Sequence, residues 1–214
     1  MQPIVTQDQF GTHIDWALDA VTARMIDWFW SNMEKGMLLW HPDQHEPLEW
    51  HIPPKHGNPI GSVHIAPQTW SDGTRQNLYI KIEDPRTAPD SVTSLIVYNH
   101  CLLAGGYIQE TIDTGQPFSY RLHQWEATDA GVRGRSSAVD AAKKSAPKEG
   151  LVWAEHAIEE IGNWGVFLPQ LYCLYRVVTN TDYNPFADLS LERQGRTARY
   201  KYIDFSSVDR QGEP

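Results

Sequence analysis

Our starting point is the stretch Trp153-Ala154-Glu155-His156-Ala157-Ile158-Glu159-Glu160-Ile161-Gly162-Asn163-Trp164. Its apolar residues recur at helical spacing, which predicts a helix over residues 152–162 that packs against a core. His156 and Glu160 are four residues apart, so on that helix the two side chains lie one above the other and can reach one cation. This spacing is common by chance, and a helix with one core histidine and one solvated glutamate is the alternative interpretation.

Composition sets the broad class of the protein. The chain has 214 residues, 41% hydrophobic and 21% charged, as in an ordinary globular protein. We predict one domain over residues 1–214, with a core at about 12–178 and a C-terminal extension at 179–214. The formal net charge of −9 is spread along the chain. It argues against a nucleic-acid partner, because phosphate binding needs a concentrated basic surface.

Membrane and export signals are not expected. No apolar run approaches the length of a membrane span, and Met1-Gln2-Pro3 lacks the basic and apolar regions of a signal peptide. Cys101 and Cys173 sit inside apolar runs, which is typical of buried, reduced thiols and predicts a cytoplasmic protein. The nine tryptophans and nine tyrosines indicate either an aromatic-rich core or a ring-lined pocket for a flat apolar ligand.

The first half of the chain predicts one helix followed by strands. An apolar stripe predicts a helix over 12–34 with Thr12 as its N-cap. A turn at 37–45 follows, in which Pro42 breaks any helix, and residues 46–59 predict a loop. Strands are predicted at 60–68, 78–82, 92–104, 107–111, 118–127 and 132–139.

The second half returns to helix. A hairpin turn is expected at 129–131 and a mobile loop at 141–150. Gly162 and Asn163 predict the end of the helix that begins at 152. Further expected elements are an apolar run at 166–178 after a kink at Pro169 and a short strand at 198–205. This order is α+β: a curved antiparallel sheet that grips a helix and leaves a central ligand cavity.

Histidines are the candidate chemical groups. Five of the nine lie between His41 and His64. On the predicted strand His64 shares a face with Ala66 and Gln68. With His156 and Glu160, these rings provide enough neutral nitrogen and carboxylate donors for a zinc-type site. The sequence has no Gly-x-Ser-x-Gly elbow, phosphate-binding loop or dinucleotide fingerprint, so it does not indicate a serine or cysteine nucleophile.

Three stretches resemble a known family, the 2,4-diacetylphloroglucinol hydrolases and their phloretin hydrolase relatives. Leu39-Trp40-His41-Pro42-Asp43-Gln44-His45 is similar to the family's Leu-Trp-His-Pro-x-x-His. His123 to Ser136 looks like the family's hairpin that ends in Arg-Ser. His156-x-x-x-Glu160, followed by Phe167-Leu168-Pro169-Gln170-Leu171-Tyr172, looks like its metal-binding helix. The likeness covers roughly residues 16–176.

The resemblance implies a Bet v 1-like helix-grip fold and zinc held by two histidines and two glutamates. It implies His156 and Glu160 as ligands, together with His45, or less readily His41, from the first motif. The family's second glutamate has no counterpart near 63–68, where His64 or the weaker donor Gln68 is the expected substitute. A family tyrosine that helps hold the substrate is replaced by methionine at about position 37, so the phloroglucinol substrate itself is less certain than the metal site.

The expected reaction is hydrolysis of the carbon–carbon bond between an acyl group and a phenolic ring. The expected cofactor is Zn²⁺, and the expected partner is a small aromatic ketone or phenol, with a homodimer left open. The catalytic candidates are His123, His100 and Tyr120, and the candidates for binding substrate are Trp40, His41 and Tyr98. Arg135 is expected to be structural. The competing hypotheses are a non-catalytic carrier of an aromatic ligand and a metal-dependent hydrolase of esters or amides.

Overall fold

An eight-stranded antiparallel sheet and one long helix dominate the fold. The computed structural model describes residues 2–55, 57–113, 115–140, 147–179, 189–194 and 197–202. The strands of the sheet are β1 (Ile4–Gln7), β2 (Gly11–Asp19), β3 (Glu49–Ile52), β4 (Val63–Thr69), β5 (Arg75–Glu83), β6 (His100–Tyr107), β7 (Ser119–Ala127) and β8 (Gly131–Asp140). The sheet is open, with the order β1-β2-β8-β7-β6-β5-β4-β3. A separate two-stranded sheet is formed by β9 (Leu189–Gln194) and β10 (Thr197–Tyr202).

The helices lie between and after the strands. They are α1 (Ala23–Trp30), α2 (Met37–Trp40), α3 (Asp90–Thr93) and α4 (Pro147–Thr179), with single 3₁₀ turns at 33–35, 85–87 and 109–111. The long α4 packs on β2, β8, α1 and α2. Strands followed by a helix that lies on the sheet make the fold α+β, as predicted. Within the described residues, no helix is both long enough and apolar enough to cross a membrane.

The prediction of a helix over 12–34 is confirmed for residues 23–30 and was wrong for residues 12–19. Residues 11–19 form β2, which pairs with β1 and β8, and the helix α1 begins only after Thr22, whose hydroxyl caps the Met25 amide. Thr12 is therefore a strand residue rather than an N-cap. Ile14 and Trp16 enter the core with period two, and this strand alternation outweighs the helical propensity of the surrounding alanines and Leu18.

The predicted end of the last helix was also wrong. Helix α4 runs through Gly162 and Asn163 and contains Pro169 in its interior. Trp164, Phe167 and Leu168 are buried beyond the expected stop. Burial of this apolar face provides more stabilisation than the glycine and the proline remove. Of the expected loop at 141–150, residues 141–146 lie outside the described part of the chain, and 147–150 are the first residues of the helix.

Several strand boundaries differ from the predicted ones. The run 92–104 divides into the short helix α3, an irregular segment and the first half of β6, and residues 109–111 are a 3₁₀ turn rather than a strand. Residues 49–52 of the expected loop form the edge strand β3. The strands expected at 78–82, 118–127 and 132–139 are confirmed, as is the hairpin turn at 129–131. The expected strand at 198–205 overlaps β10 at 198–202; the remainder lies outside the described residues.

The core between α4 and the sheet is built from aromatic rings. Trp164 is fully buried and lies within 6.0 Å, between ring centroids, of Trp16, Phe29, Trp30 and Trp40. Most of these pairs are edge-to-face, and Trp40 and Trp164 are stacked at 13°. Such pairs add about 0.5–1.5 kcal/mol each beyond the burial of their area. The aromatic-rich composition therefore serves the core, and part of the same cluster also lines a pocket.

Candidate metal centre and pocket

Three ligand-type side chains converge beside the aromatic core. His156 and Glu160 project from the same face of α4, one turn apart, as the sequence spacing predicts. His45 comes from the segment after α2, where its amide bonds to the His41 carbonyl at 2.9 Å and its backbone pairs with Gln68 of β4. The turn at 41–45 thus holds His45 between the helix and the sheet. We call His45, His156 and Glu160 the triad.

The distances within the triad match those around one small cation. The Nε2 atoms of His45 and His156 are 3.3 Å apart. Oε1 of Glu160 lies 3.3 Å from Nε2 of His45 and 3.2 Å from Nε2 of His156. Ligands at zinc distances of about 2.0–2.1 Å and tetrahedral angles are themselves about 3.3 Å apart. The three donor atoms therefore already have the spacing that zinc would require.

The hydrogens on the two imidazoles point away from the triad centre. Nδ1 of His45 lies 3.1 Å from the Met37 carbonyl oxygen, which can only accept, so this nitrogen carries the hydrogen. Nδ1 of His156 lies 2.9 Å from Oε1 of Gln44. With a hydrogen at Nδ1 alone, each ring would present a lone pair at Nε2 toward the Glu160 carboxylate oxygen. Three acceptors so placed need a cation between them, which can be a metal ion or a proton on one of the rings.

Burial excludes water from the triad, so the charge of its carboxylate has to be balanced by a group within the site. His45, His156 and Glu160 are 6%, 4% and 5% exposed. Burial alone would raise the pKa of the Glu160 carboxyl, but positive charge on the His156 and His45 rings, together with the hydrogen bonds these rings donate in their protonated form, holds the pKa well below its usual range. Glu160 is therefore a carboxylate at neutral pH, and a buried carboxylate requires a positive partner.

The resemblance gave His41 as a less likely ligand, and the structure places it behind the triad. Its ring stacks on that of His156 with centroids 4.4 Å apart and planes at 14°. Nε2 lies 3.5 Å from a Glu159 carboxylate oxygen, and neither ring nitrogen makes a hydrogen bond with a described residue. Burial lowers the pKa of His41, with a further contribution from the neighbouring His156. His41 stacks on the His156 ring and is not among the residues that line the pocket, so the structure does not bring it to the place expected of a substrate-binding residue.

A pocket of about 530 Å³ opens beside the triad, between α4 and the sheet. The three triad residues belong to its wall. So do four tryptophans, Trp30, Trp40, Trp70 and Trp153. Its remaining walls include His64, Ala66, Gln68, Ala104, Arg121, His123 and Ala138. The size and the ring-rich wall suit a small flat ligand. The predicted shared face of His64, Ala66 and Gln68 is confirmed.

His64 is close to the triad but not part of it. It is 3% exposed, and its nitrogens are not within the tight group of donor atoms that the triad forms. Its Nδ1 has no hydrogen-bond partner among the described residues. Burial, with the nearby His45, lowers the pKa of His64 to about 3, so the ring is neutral. The expected set of three histidines and one glutamate thus reduces to two histidines and one glutamate.

β7 delivers two polar side chains to the pocket. His123 was expected there; its Nδ1 lies 3.0 Å from Oγ of Ser136, and burial lowers its pKa to about 4. Arg121, two residues earlier on the same face, was not singled out from the sequence. The signal was available, because residues i and i+2 of a strand share a face.

Three other candidates lie outside the pocket. Tyr120 points to the opposite face of β7, where it packs with Val92 and Leu103. His100 stacks on Trp125 and contacts the carboxylate of Asp27. Tyr98 lies under the Arg133 guanidinium. Tyr120 is turned away because a one-residue step from Arg121 reverses the strand face. His100 shares the face of Ala104 but lies at the far end of β6, and Tyr98 precedes that strand. None of the three lines the pocket, so the structure does not bring these expected site residues together with the triad.

Arg135 has the structural role expected of it. Its guanidinium donates two hydrogen bonds to the Asp15 carboxylate, at 2.7 and 2.9 Å, between directly paired positions of β8 and β2. Two parallel bonds fix the orientation of both side chains and the register of the two strands.

Comparison with known proteins identifies the fold but no family. Neither the protein-family models nor the curated proteins give a match. Protein Ms6760 from Mycobacterium smegmatis has a similar structure, with a TM-score of 0.51, 19% identity, and coverage of 77% of this chain and 96% of that one. A protein from Rhodobacter sphaeroides gives a TM-score of 0.51 at 13% identity, covering 79% of this chain and 99% of that one. Ara h 8.0201 matches at a TM-score of 0.44 and 15% identity, over 75% of this chain and 97% of that one. The first two similarities extend to the fold alone, and the third score is too low to indicate more.

Proposed function

We propose that the protein is a zinc-dependent hydrolase of Bet v 1-like, helix-grip fold. Its proposed reaction is cleavage of the carbon–carbon bond between an acyl group and a phenolic ring. The observation that carries the proposal is the triad, in which the Nε2 atoms of two imidazoles and one carboxylate oxygen lie 3.2–3.3 Å from one another. Catalytic zinc sites typically have three protein ligands and one open position. The triad supplies three donors, and the adjacent pocket supplies space for a fourth group.

The choice of reaction rests on the resemblance together with the pocket. When bound, zinc supplies Lewis-acid polarisation of an acyl carbonyl and activation of water near neutral pH. In the net reaction the water oxygen bonds to the acyl carbon, the bond from that carbon to the ring breaks, and the ring carbon takes up a proton. The products are a carboxylic acid and the deacylated phenol.

His123 is the residue we assign to proton transfer. Oγ of Ser136 accepts a hydrogen bond from the Trp16 indole at 3.1 Å and lies 3.0 Å from Nδ1 of His123. With its hydrogen on Nδ1 and donated to Oγ of Ser136, the neutral ring would present a lone pair at Nε2 and take the proton that the attacking water loses. The imidazolium so formed would then return that proton to the ring carbon.

The alternative is a carrier of an aromatic ligand that performs no chemistry. The observation in its favour is the set of four tryptophans around a pocket of about 530 Å³, which would suit binding alone. Under this alternative a protonated imidazole, rather than a metal, would compensate the Glu160 carboxylate.

Metal content separates the two functions. We expect the purified protein to contain about one equivalent of zinc by mass spectrometry of its metals, and His156→Ala and Glu160→Gln to lose it. His100→Ala is the matched control, because it removes an imidazole outside the pocket, and it should retain zinc. Absence of metal from the wild-type protein, combined with tight binding of an aromatic ketone, would favour the carrier.

A product screen then tests the reaction. The zinc-loaded protein is incubated with 2,4-diacetylphloroglucinol, phloretin and phenyl acetate, and the products are separated by chromatography. Release of a carboxylic acid together with the deacylated ring from either of the first two supports the proposal. Turnover of phenyl acetate alone would instead indicate an ester hydrolase.

A further inference from the structure

Arg121 places a positive charge inside the pocket. It lies on β7 with its neighbours on both sides, Ala104 of β6 and Ala138 of β8, in direct register. All three line the pocket. Because both neighbours have only a methyl group, the guanidinium is not covered by side chains from the adjacent strands.

The Arg121 guanidinium is only partly satisfied by the protein. Nη1 donates to the Tyr120 carbonyl oxygen at 3.0 Å, and the guanidinium carbon lies 5.3 Å from the centre of the Trp153 ring. No other hydrogen bond or ion pair joins it to a residue within the described ranges. A guanidinium has five N–H donors in a planar fork. Several of these donors are therefore left for a molecule in the pocket.

Arg121 stays positively charged although it is buried. Burial lowers the pKa of Arg121 to about 10, against the influence of Glu160 and Asp140, so the side chain is still a cation at neutral pH. Four acidic residues border the pocket: Glu160 is buried in the triad, Asp140 is half-buried on β8, and Asp72 and Glu149 are exposed at the rim. None of the four has a hydrogen bond or ion pair with Arg121 among the described contacts. An anionic group that enters the pocket would therefore meet a partly desolvated cation inside it.

We infer that Arg121 recognises an anionic oxygen group on the ligand, a carboxylate or an ionised phenol. The Trp153 ring lies beneath Arg121, one turn of α4 before His156 and two turns before Glu160. Two turns separate Trp153 from Glu160 by about 10 Å along the helix axis. A planar aromatic ligand held on Trp153 would pair its anionic substituent with Arg121 and direct its other end toward the triad. This inference rests on the proposed function only for the orientation of the ligand; recognition of the anion does not require a metal.

Binding of matched ligands tests the inference. The probes are 4-acetylbenzoate and its neutral analogue 4-acetylbenzamide, with 2,4,6-trihydroxyacetophenone titrated at two pH values to test an ionised phenol. Binding to the purified protein is followed by tryptophan fluorescence, since four tryptophans line the pocket. We expect the benzoate to bind about tenfold more tightly than the amide, because a hydrogen bond between two charged groups contributes more binding free energy than one to a neutral amide. The affinity for 2,4,6-trihydroxyacetophenone should increase at the higher pH only if the protein recognises the phenolate form.

Two arginine variants separate a local from a general charge effect. Arg121→Gln should bring the benzoate and the amide to within about twofold of each other, and Arg121→Lys should retain an intermediate preference, because lysine keeps the charge without the fork. Arg133→Gln is the control; this arginine also lies over an aromatic ring but is paired with Glu126 outside the pocket. It should keep the full preference. Circular dichroism and the melting temperature establish that each variant is folded.

Treatment with a chelator distinguishes this inference from the proposed function. A preference for benzoate that persists without metal and disappears in Arg121→Gln supports Arg121 as the anion site, whether or not the protein is a hydrolase. Equal binding of the two probes by wild-type protein would overturn the inference without any variant. A preference that the chelator abolishes, or that Arg121→Gln retains, would also overturn it.

Discussion

Gln44 fixes the imidazole of His156 through a single hydrogen bond. The Gln44 amide oxygen lies 2.9 Å from Nδ1 of His156, and this contact keeps Nε2 directed at Glu160. Partners of this kind typically contribute 10–100-fold to metal affinity. We predict that Gln44→Leu weakens zinc binding within about that range while leaving one site per chain at saturating zinc. Competition against a zinc-binding dye measures the effect.

The control for Gln44 lies on the exposed side of α4. Within the described ranges, the Gln170 side-chain amide donates its one hydrogen bond to the Val166 carbonyl of its own helix. Gln170→Leu should leave zinc affinity unchanged. If Gln44→Leu has the same affinity as Gln170→Leu, the orientation of His156 does not depend on Gln44.

Gly134 is required because Trp16 lies directly against it. A Cβ atom at position 134 would come within 2.2 Å of the Trp16 ring and 2.5 Å of the Gln124 carbonyl oxygen. The Trp16 ring is 1% exposed and donates a hydrogen bond to Ser136, so it has little room to move. We predict that Gly134→Ala lowers the free energy of unfolding by about 2–3 kcal/mol, as overpacking of a dense core does. Urea denaturation measures it, and an unchanged midpoint would contradict this packing.

Single residues also mark what the sequence could and could not predict. The His156–Glu160 pair was predictable because both residues lie on one helix, where spacing fixes geometry. His45 came from a resemblance, since no local pattern brings residue 45 to residue 156. The position of Tyr120 outside the pocket depends on which face of β7 it occupies, and that of His100 depends on how far along β6 the pocket extends. Both require exact strand boundaries and strand pairing.

At the level of elements, strand and helix signals conflicted in the same segment. Residues 11–19 contain alanines and a leucine that favour helix, yet pairing with β1 and β8 makes them β2. Hairpin pairing outside the segment decided the outcome, and a local pattern does not contain that information. The hairpin of β7 and β8 was predictable because its turn and its alternation lie in one continuous stretch.

Helix α4 offers a direct test of how its interior glycine is tolerated. Gly162 is helical. Apart from its chain neighbours and the backbone of the same helical turns, no heavy atom would lie within 4 Å of a Cβ atom added there. Alanine would then reduce the conformational entropy of the unfolded chain without strain. We predict that Gly162→Ala raises the free energy of unfolding by about 0.4–1 kcal/mol. A thermal melt measures the gain, and destabilisation by this variant would indicate that the helix is interrupted at Gly162.

At the level of the whole molecule, the fold buries ionisable rings in their neutral state. His64 and His123 are 3% and 5% exposed, and burial lowers their pKa values to about 3 and about 4. In the unfolded chain both would titrate near the ordinary value of about 6.5. The unfolded state therefore binds more protons than the folded state between these values, and stability must fall as the pH falls through that interval.

This difference predicts an acid-unfolding profile with a defined window. Stability should be fully present above about pH 6.5 and decline progressively toward about pH 4, and the upper part of this interval lies above the range of about 3.9–4.3 where ordinary carboxylates titrate. His123→Asn should remove part of this loss of unfolding free energy, because asparagine does not become protonated in this pH range. From the size of the His123 pKa shift, that part is of the order of 2–3 kcal/mol. The measurement is urea denaturation at pH 7.5, 5.5 and 4.5 in the presence of chelator, so that release of metal does not contribute. His100→Asn is the control, since His100 is half-exposed and lies beside Asp27, and it should not flatten the same window. A wild-type profile that stays level between pH 6.5 and 4.5 would mean that the two rings accept protons without unfolding the core.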